Sequence, residues 1–142
     1  MTDSDGTTNE VLFRARNVKN TSPSSGEVII FQTVLTNIGS AYDHQSGMFT
    51  APVAGLYIFT LQLCIADEQY IYFEIVVDDE PILKSVGVDD YNKWSTGDSF
   101  STAAILEAGA KVWVKYHSGS KKCICTNTDH WNMFHGFLVR QN

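Results

Sequence analysis

Apolar and polar side chains alternate along much of this chain. In Tyr57–Ile65 every odd position carries a large apolar side chain, whereas the even positions include Thr60 and Gln62. The same alternation runs through 71–77 and 112–116. Because successive side chains of a β-strand point to opposite faces, a period of two residues predicts strands with one buried face.

Further strands are predicted where β-branched and aromatic residues cluster, over Val28–Thr36 and Phe134–Arg140. Turn-forming residues separate the predicted strands at 22–26, 37–40, 78–81, 95–98, 107–109 and 118–120. No segment has a sustained apolar repeat of 3.6 residues. Many short strands at even spacing predict an all-β fold, either a sandwich or a barrel.

Composition narrows the class of protein. The 142 residues are enough for one domain, and 44% are hydrophobic while only 18% are charged. The net charge of -6 and the scattered basic residues argue against a nucleic-acid partner. No apolar run is long enough for insertion into a membrane. Residues 1–10 are small and polar, so we expect a disordered lead-in before a domain over 11–142.

Three ordered motifs carry a family resemblance. The first runs from Tyr42-Asp43 through Gly47 and Phe49 to Ala51-Pro52-Val53-Ala54-Gly55-Leu56-Tyr57-Ile58-Phe59. The second is Leu106–Gly109 followed by Val112-Trp113-Val114, and the third is Phe134-His135-Gly136-Phe137-Leu138, in which the family usually has Ser at the position of His135. Together they resemble the globular-head domain of complement component C1q, over about Val11 to Arg140.

The resemblance implies a jelly-roll sandwich of two antiparallel sheets, like that of tumour necrosis factor, assembled as a homotrimer. Glycine does not recur at every third residue, so the chain is expected to lack a collagen segment. We interpret the motif residues as structural. Gly55 lies at a sharp turn before a strand, and Gly136 lies between two aromatic residues, where we expect the close approach of another backbone or ring.

Catalysis is not expected. The histidines at 44, 117, 130 and 135 have no metal-binding spacing, and no nucleophile motif or phosphate-binding glycine loop is present. Cys123 and Cys125 share a face of a strand and do not easily bond each other. Either one of them bonds Cys64 and leaves an odd thiol, or all three cysteines are reduced and buried.

Calcium is the cofactor that the acidic turns favour. C1q-like trimers often bind calcium near the apex through acidic loop residues, and the resembling stretch here is 89–98. Oxygen ligands gathered in loops suit this ion. The candidate metal ligands are Asp89, Asp90 and Asp98.

Aromatic and amide residues on loops are candidates for glycan binding, because a flat ring packs under a sugar while amides and carboxylates bind its hydroxyls. The candidate ligand-binding residues are Tyr91, Asn92, Trp94, Asn127, Asp129, His130, Trp131 and Asn132. The expected function is secreted, extracellular, lectin-like recognition of glycans or microbial surface ligands in innate immunity. The alternatives are a tumour necrosis factor-like receptor ligand and a calcium- or mineral-binding matrix protein.

Overall fold

A computed structural model describes residues 9–88, 96–126 and 131–142, with the backbone alone described for 96–98. These residues form eleven strands: β1 (Leu12–Val18), β2 (Val28–Ile29), β3 (Phe31–Ile38), β4 (Tyr42–Asp43), β5 (Met48–Thr50), β6 (Gly55–Ile65), β7 (Tyr70–Val77), β8 (Glu80–Val88), β9 (Thr96–Leu106), β10 (Lys111–Gly119) and β11 (Met133–Gln141). In the described ranges no helix is long and apolar enough to cross a membrane. The expected lead-in over 1–10 falls mostly outside them.

The strands form two antiparallel sheets. The five-stranded sheet has the order β3-β1-β11-β6-β9, and the six-stranded sheet has the order β4-β5-β10-β7-β8, with β2 also paired to β10. The first and last strands of the chain are neighbours, since Phe13 pairs with Gly136. The predicted all-β jelly roll of two antiparallel sheets is confirmed.

Aromatic side chains fill the space between the sheets. The motif residues are among them, and the cluster consists of Phe13, Tyr42, Phe49, Tyr57, Phe59 and Phe134. The ring of Phe13 stacks on Tyr42 at 4.9 Å and meets the edge of Phe134 at 5.0 Å. Each such pair adds roughly 0.5–1.5 kcal/mol beyond the burial of its area. The structural interpretation of these motif residues is therefore confirmed.

Tyr42 shows how a motif residue fixes the path of the chain. Its buried hydroxyl donates to the carbonyl of Phe31 at 2.9 Å and accepts from the N–H of Phe31 at 3.1 Å. Burial raises the pKa of this phenol above its ordinary value, so the hydroxyl keeps its proton and serves both bonds. The start of β3 is thereby tied to β4 in the opposite sheet.

Two motif glycines lie where no side chain fits. A Cβ on Gly136 would approach the rings of Phe59 and Phe13, the latter at 2.8 Å. This confirms the expected approach of another ring. A Cβ on Gly55 would collide with the carbonyl oxygen of Arg140, so close strand packing requires this glycine, rather than the sharp turn expected from its neighbours.

Three segments differ from the prediction. The run Val28–Thr36 is two strands in different sheets, because the chain crosses the sandwich at Ile30. Residues 95–98 were expected to form a turn, but Thr96–Asp98 begin β9 and pair with β6. Likewise β10 continues to Gly119, opposite Ile71. In the latter two segments, pairing with a long neighbouring strand overrides local turn preference.

The acidic turn Asp78-Asp79 has a structural role. Both residues have positive φ, 48° and 70°, and they connect β7 to β8 as a two-residue hairpin of the mirror-image type I geometry. Asp78 accepts a hydrogen bond from the N–H of Lys111 at 3.0 Å, and Asp79 pairs with the ammonium of Lys115 at 2.9 Å. These contacts occupy one carboxylate oxygen of each residue.

Candidate functional site

Most of the predicted ligand residues follow or precede strands that meet at one end of the sandwich. Strand β8 ends at Val88 opposite Tyr70, β9 begins at Thr96 opposite Ile65, and β11 begins at Met133. We call this the loop end. Six of the eight predicted ligand residues lie outside the described residues, namely Tyr91, Asn92, Trp94, Asn127, Asp129 and His130.

A disulfide closes the loop end. Cys64 on β6 is bonded to Cys125, with 5.3 Å between their Cα atoms, and Cys123 is a buried free thiol. Of the two alternatives that the sequence left open, the structure has one disulfide and one odd thiol. Burial raises the pKa of the Cys123 thiol, so it stays protonated and packs as a small apolar group.

Asn132 supports this bond, because both its amide oxygen and its amide nitrogen are hydrogen-bonded to backbone. Its Oδ1 accepts from the N–H of Cys64 at 2.7 Å, and its Nδ2 donates to the carbonyl of Cys125 at 2.8 Å. The residue is only 6% exposed. The predicted ligand residue Asn132 therefore has a structural position in this protein.

Trp131 is exposed at the loop end and contacts Arg16. Its side chain is 38% exposed, and the guanidinium carbon of Arg16 lies 3.9 Å from the centre of its ring. A cation above an aromatic face attracts it electrostatically and holds the ring in place. Trp131 thus offers a fixed aromatic surface at the loop end.

The side chains of the predicted calcium ligands lie outside the part of the chain that the structure describes. Asp89 and Asp90 lie outside the described residues, as does the side chain of Asp98, whose backbone pairs with Leu63 in β9. Within the described parts of the chain no group of three His, Cys, Asp or Glu residues is arranged to hold a metal.

The outward face of the five-stranded sheet has an apolar half that sequence reasoning missed. Aligned positions across all five strands form one row, Ile38, Leu12, Phe137, Ile58 and Ala103, and a second contact pairs Leu56 with Ile105. Ile105 is 68% exposed and Phe137 is 41% exposed. The sequence does contain an indication of this patch. The even positions Leu56 and Ile58 of β6 are apolar, although polar residues at other even positions predicted that this face is exposed to solvent.

The other half of this face, toward the loop end, is polar. Arg14, His135, Thr60 and Ser101 form an aligned row, in which the hydroxyls of Thr60 and Ser101 are 2.8 Å apart. Burial lowers the pKa of His135, and the positive charge of Arg14 lowers it further, so the imidazole favours its neutral form. Polarity therefore changes from one end of the sheet face to the other.

Comparison with known proteins gives the family. The model of the C1q domain family matches residues 12–139. The chain is 30% identical over 116 residues to human complement C1q tumor necrosis factor-related protein 3, covering 78% of this chain and 44% of that protein. It is 26% identical over 134 residues to zebrafish (Danio rerio) Caprin-2, covering 93% of this chain and 14% of that protein. It thus spans less than half the length of these curated relatives.

Solved structures agree on the fold. The globular domain of zebrafish complement 1qA matches with a TM-score of 0.74 at 20% identity, covering 93% of this chain and 99% of that one. Murine APRIL matches with a TM-score of 0.68 at 10% identity, covering 92% and 99%. The resemblance read from the three motifs is confirmed. With the family model covering most of its length, the chain belongs to the C1q domain family.

Proposed function

We propose that the chain is the recognition domain of a secreted, non-catalytic protein that assembles as a homotrimer and binds glycans or microbial surfaces at its loop end. The observation that carries this proposal is the apolar half of the five-stranded sheet face. Its members Ile38, Phe137 and Ile105 are all exposed in the single chain. Contiguous apolar patches on a folded surface mark sites of association.

Association of identical copies would cover this surface, and the family relationship favours three copies. The apolar half crosses the whole sheet, so each copy offers one broad face, and closed cyclic symmetry buries such faces without leaving one uncovered. Membership of a family with C1q and tumour necrosis factor-like relatives supports three copies. Three binding sites on one particle then increase avidity for a repetitive surface.

Secretion is supported by the bond between Cys64 and Cys125, since disulfides persist in oxidising compartments. Glycan binding is supported by the exposed ring of Trp131, which directly follows the predicted ligand residues Asn127, Asp129 and His130 in the sequence. Calcium, bound by Asp89, Asp90 and Asp98, remains part of the proposal.

The assembly is tested by light scattering coupled to gel filtration. The unaltered chain should have three times the protomer mass at micromolar concentration. Ile105→Glu and Phe137→Glu place a charge in the apolar half and should give monomers. Val88→Glu is the matched control, because Val88 is similarly exposed but lies in the other sheet, and it should leave the trimer intact. A monomeric unaltered chain would overturn the proposed trimer.

Ligand recognition is tested on a glycan array and on intact bacteria, with millimolar calcium or with chelator. Binding that free sugars compete, and that chelator weakens, supports the proposal. Saturable binding to one protein receptor, unaffected by free sugars, would overturn it and favour a cytokine-like role. Sugar binding that is unchanged by chelator would overturn the calcium ligands alone.

A further inference from the structure

A groove of about 470 Å³ lies on the outer face of the six-stranded sheet, which is not the sheet that carries the apolar half. It is lined by Tyr72, Phe73, Glu74, Lys84, Ser85, Val86 and His117. A second cavity of about 240 Å³ continues from it and shares Glu74 and His117. Small-molecule sites commonly have a volume of this order.

Strand register builds the groove. Tyr72 pairs with Val86 and Glu74 pairs with Lys84 across β7 and β8, which places an apolar pair next to a charged pair. On β10 the register shifts between Tyr116 and Ser118, so His117 is an extra residue at a bulge. Bulges redirect side chains and recur beside binding sites.

The apolar end of the groove is an exposed aromatic corner. The side chains of Tyr70 and Tyr72 are 45% and 47% exposed, and their rings meet edge to face with centroids 5.9 Å apart. Each ring restricts the motion of the other. The ring of Tyr72 is therefore fixed in orientation, and its face can pack against the C–H face of a pyranose ring. Val86 extends this surface on the neighbouring strand.

The polar end supplies hydrogen-bonding groups with balanced charge. Glu74 is an acceptor and Lys84 a donor, and they face each other across the strands. Nδ1 of His117 lies 2.9 Å from the hydroxyl of Ser118, which leaves Nε2 as the ring nitrogen for a ligand. The ammonium of Lys115, beyond Glu74, is paired with Asp79. Among the described residues the ammonium of Lys84 has no ion-pair partner, and the carboxylate of Glu74 beside it makes the groove suit neutral hydroxyls better than an anion.

We propose that this groove binds a neutral oligosaccharide. One sugar ring packs on Tyr72 and Val86, its hydroxyls are bound by Glu74, Lys84 and His117, and the next ring lies in the second cavity beside Ser25 and Lys115. The inference rests on the proposed function in taking a glycan as the ligand. It adds a binding site on the outer face of the six-stranded sheet, formed mainly by β7, β8 and β10, with Ser25 contributed by the turn before β2.

The site is tested by two-dimensional amide NMR titration of the trimeric protein with lactose, maltose and chitobiose at millimolar concentration. Sialyllactose serves as the acidic probe. At least one neutral sugar should shift the amide signals of Tyr72, Glu74, Val86 and His117. Tyr72→Ala and Glu74→Gln should weaken that binding about fivefold or more, whereas Tyr72→Phe keeps the ring and should retain most of it. Glu80→Gln is the matched control, because Glu80 is an exposed carboxylate of the same sheet outside the groove, and it should leave this affinity unchanged. Trp131→Ala tests the loop end separately.

The outcomes separate the two proposals. Sugar binding that survives Tyr72→Ala and Glu74→Gln but is lost in Trp131→Ala would overturn the groove and leave the proposed function standing. No sugar binding by the unaltered protein, in solution or on the array, would overturn both. Tighter binding of sialyllactose than of every neutral sugar would overturn the assignment to neutral ligands. Melting temperatures of the variants verify that each one is folded.

Discussion

The side-chain oxygen of Asn132 accepts a hydrogen bond from the backbone N–H of Cys64 at 2.7 Å. Through its Nδ2 the same amide holds the carbonyl of Cys125, the disulfide partner of Cys64. One buried amide is therefore hydrogen-bonded to the backbone of both cysteines of this disulfide, which is the only one among the described residues. The start of β11 and the end of β6 are joined by it at the loop end.

Asn132→Asp should destabilise the fold by about 2–3 kcal/mol, because the lost donor leaves a carboxylate oxygen facing the carbonyl of Cys125 in a buried place. Urea denaturation measures the change. Gln62→Glu is the matched amide-to-acid control, since Gln62 donates to the carbonyl of Trp131 at an exposed site, and it should cost less than about 1 kcal/mol. Equal losses in the two variants would contradict the role assigned to Asn132.

Removing the disulfide should cost roughly 4 kcal/mol. Cys64 and Cys125 are 61 residues apart, and the bond restricts the unfolded chain over that length. The double substitution Cys64→Ala with Cys125→Ala, compared with Cys123→Ala, measures the difference by urea denaturation. The single Cys123→Ala should cost only about 1 kcal/mol, as the loss of a small buried group.

Thiol titration tests the same assignment without substitution. The unreduced chain should react at one thiol in denaturant and at none in the native state, where Cys123 is fully buried and its pKa is raised. Three reactive thiols in unreduced, denatured protein would exclude the bond.

Gly136→Ala should destabilise the fold by about 1–3 kcal/mol, because the added methyl group meets the rings of Phe59 and Phe13 in a filled core. A double-mutant cycle with Phe59→Leu isolates the cause. If the methyl group clashes with Phe59, the double variant should be more stable than the sum of the two single losses predicts. Strict additivity would mean that the clash does not involve this ring.

Stability should fall as the solution is acidified because of His135. Its pKa in the folded protein lies below the ordinary value of 6.5, so the unfolded chain binds the proton more readily. The stabilisation is complete above pH 6.5 and is lost as pH decreases through 6.5 toward the lower folded pKa. His135→Ser should remove this component of the pH dependence, whereas His44→Ser, at an exposed turn, should retain it.

The prediction for His135 is checked by melting temperatures between pH 5 and pH 8, a range set around the ordinary histidine pKa. The curves of the unaltered protein and of His135→Ser should converge at the alkaline end and separate on acidification, after the constant difference caused by the substitution is subtracted. Parallel curves over the whole range would contradict it.

Alternation of apolar and polar residues predicted the strands whose buried face is determined by their own sequence. Alternation in Tyr57–Ile65 and the motif ending in Phe59 placed the central strand and its buried face correctly, because each odd side chain there enters the core. The crossing at Ile30 was not predictable in this way. Its position depends on the bonds between Tyr42 and Phe31, which join residues of different sheets.

The candidate site was predictable only in part. Spacing predicted that Cys123 and Cys125 would share a face of a strand, whereas the structure has only an isolated bridge there, between Ile124 and Ile65, and this bridge brings Cys125 to Cys64. The amide of Asn132 predicts a ligand contact from the sequence. Only the fold shows that its oxygen and its nitrogen are both hydrogen-bonded to backbone. The groove combines residues of three strands whose register no single segment encodes.

The change from apolar to polar along the five-stranded sheet gives each protomer a direction. A neighbouring copy in the opposite orientation would place Phe137 and Ile105 against Arg14. The charge of Arg14 would then lie against an apolar surface without a partner. Copies in the same orientation place apolar half against apolar half and polar half against polar half. Every loop end then faces one side of the particle, while the contact between Asn9 and Gln141, 2.6 Å long, lies toward the opposite side. In the proposed trimer the ligand sites of all three loop ends would therefore lie on one side, so the particle could attach to one surface but could not crosslink two surfaces through its loop ends.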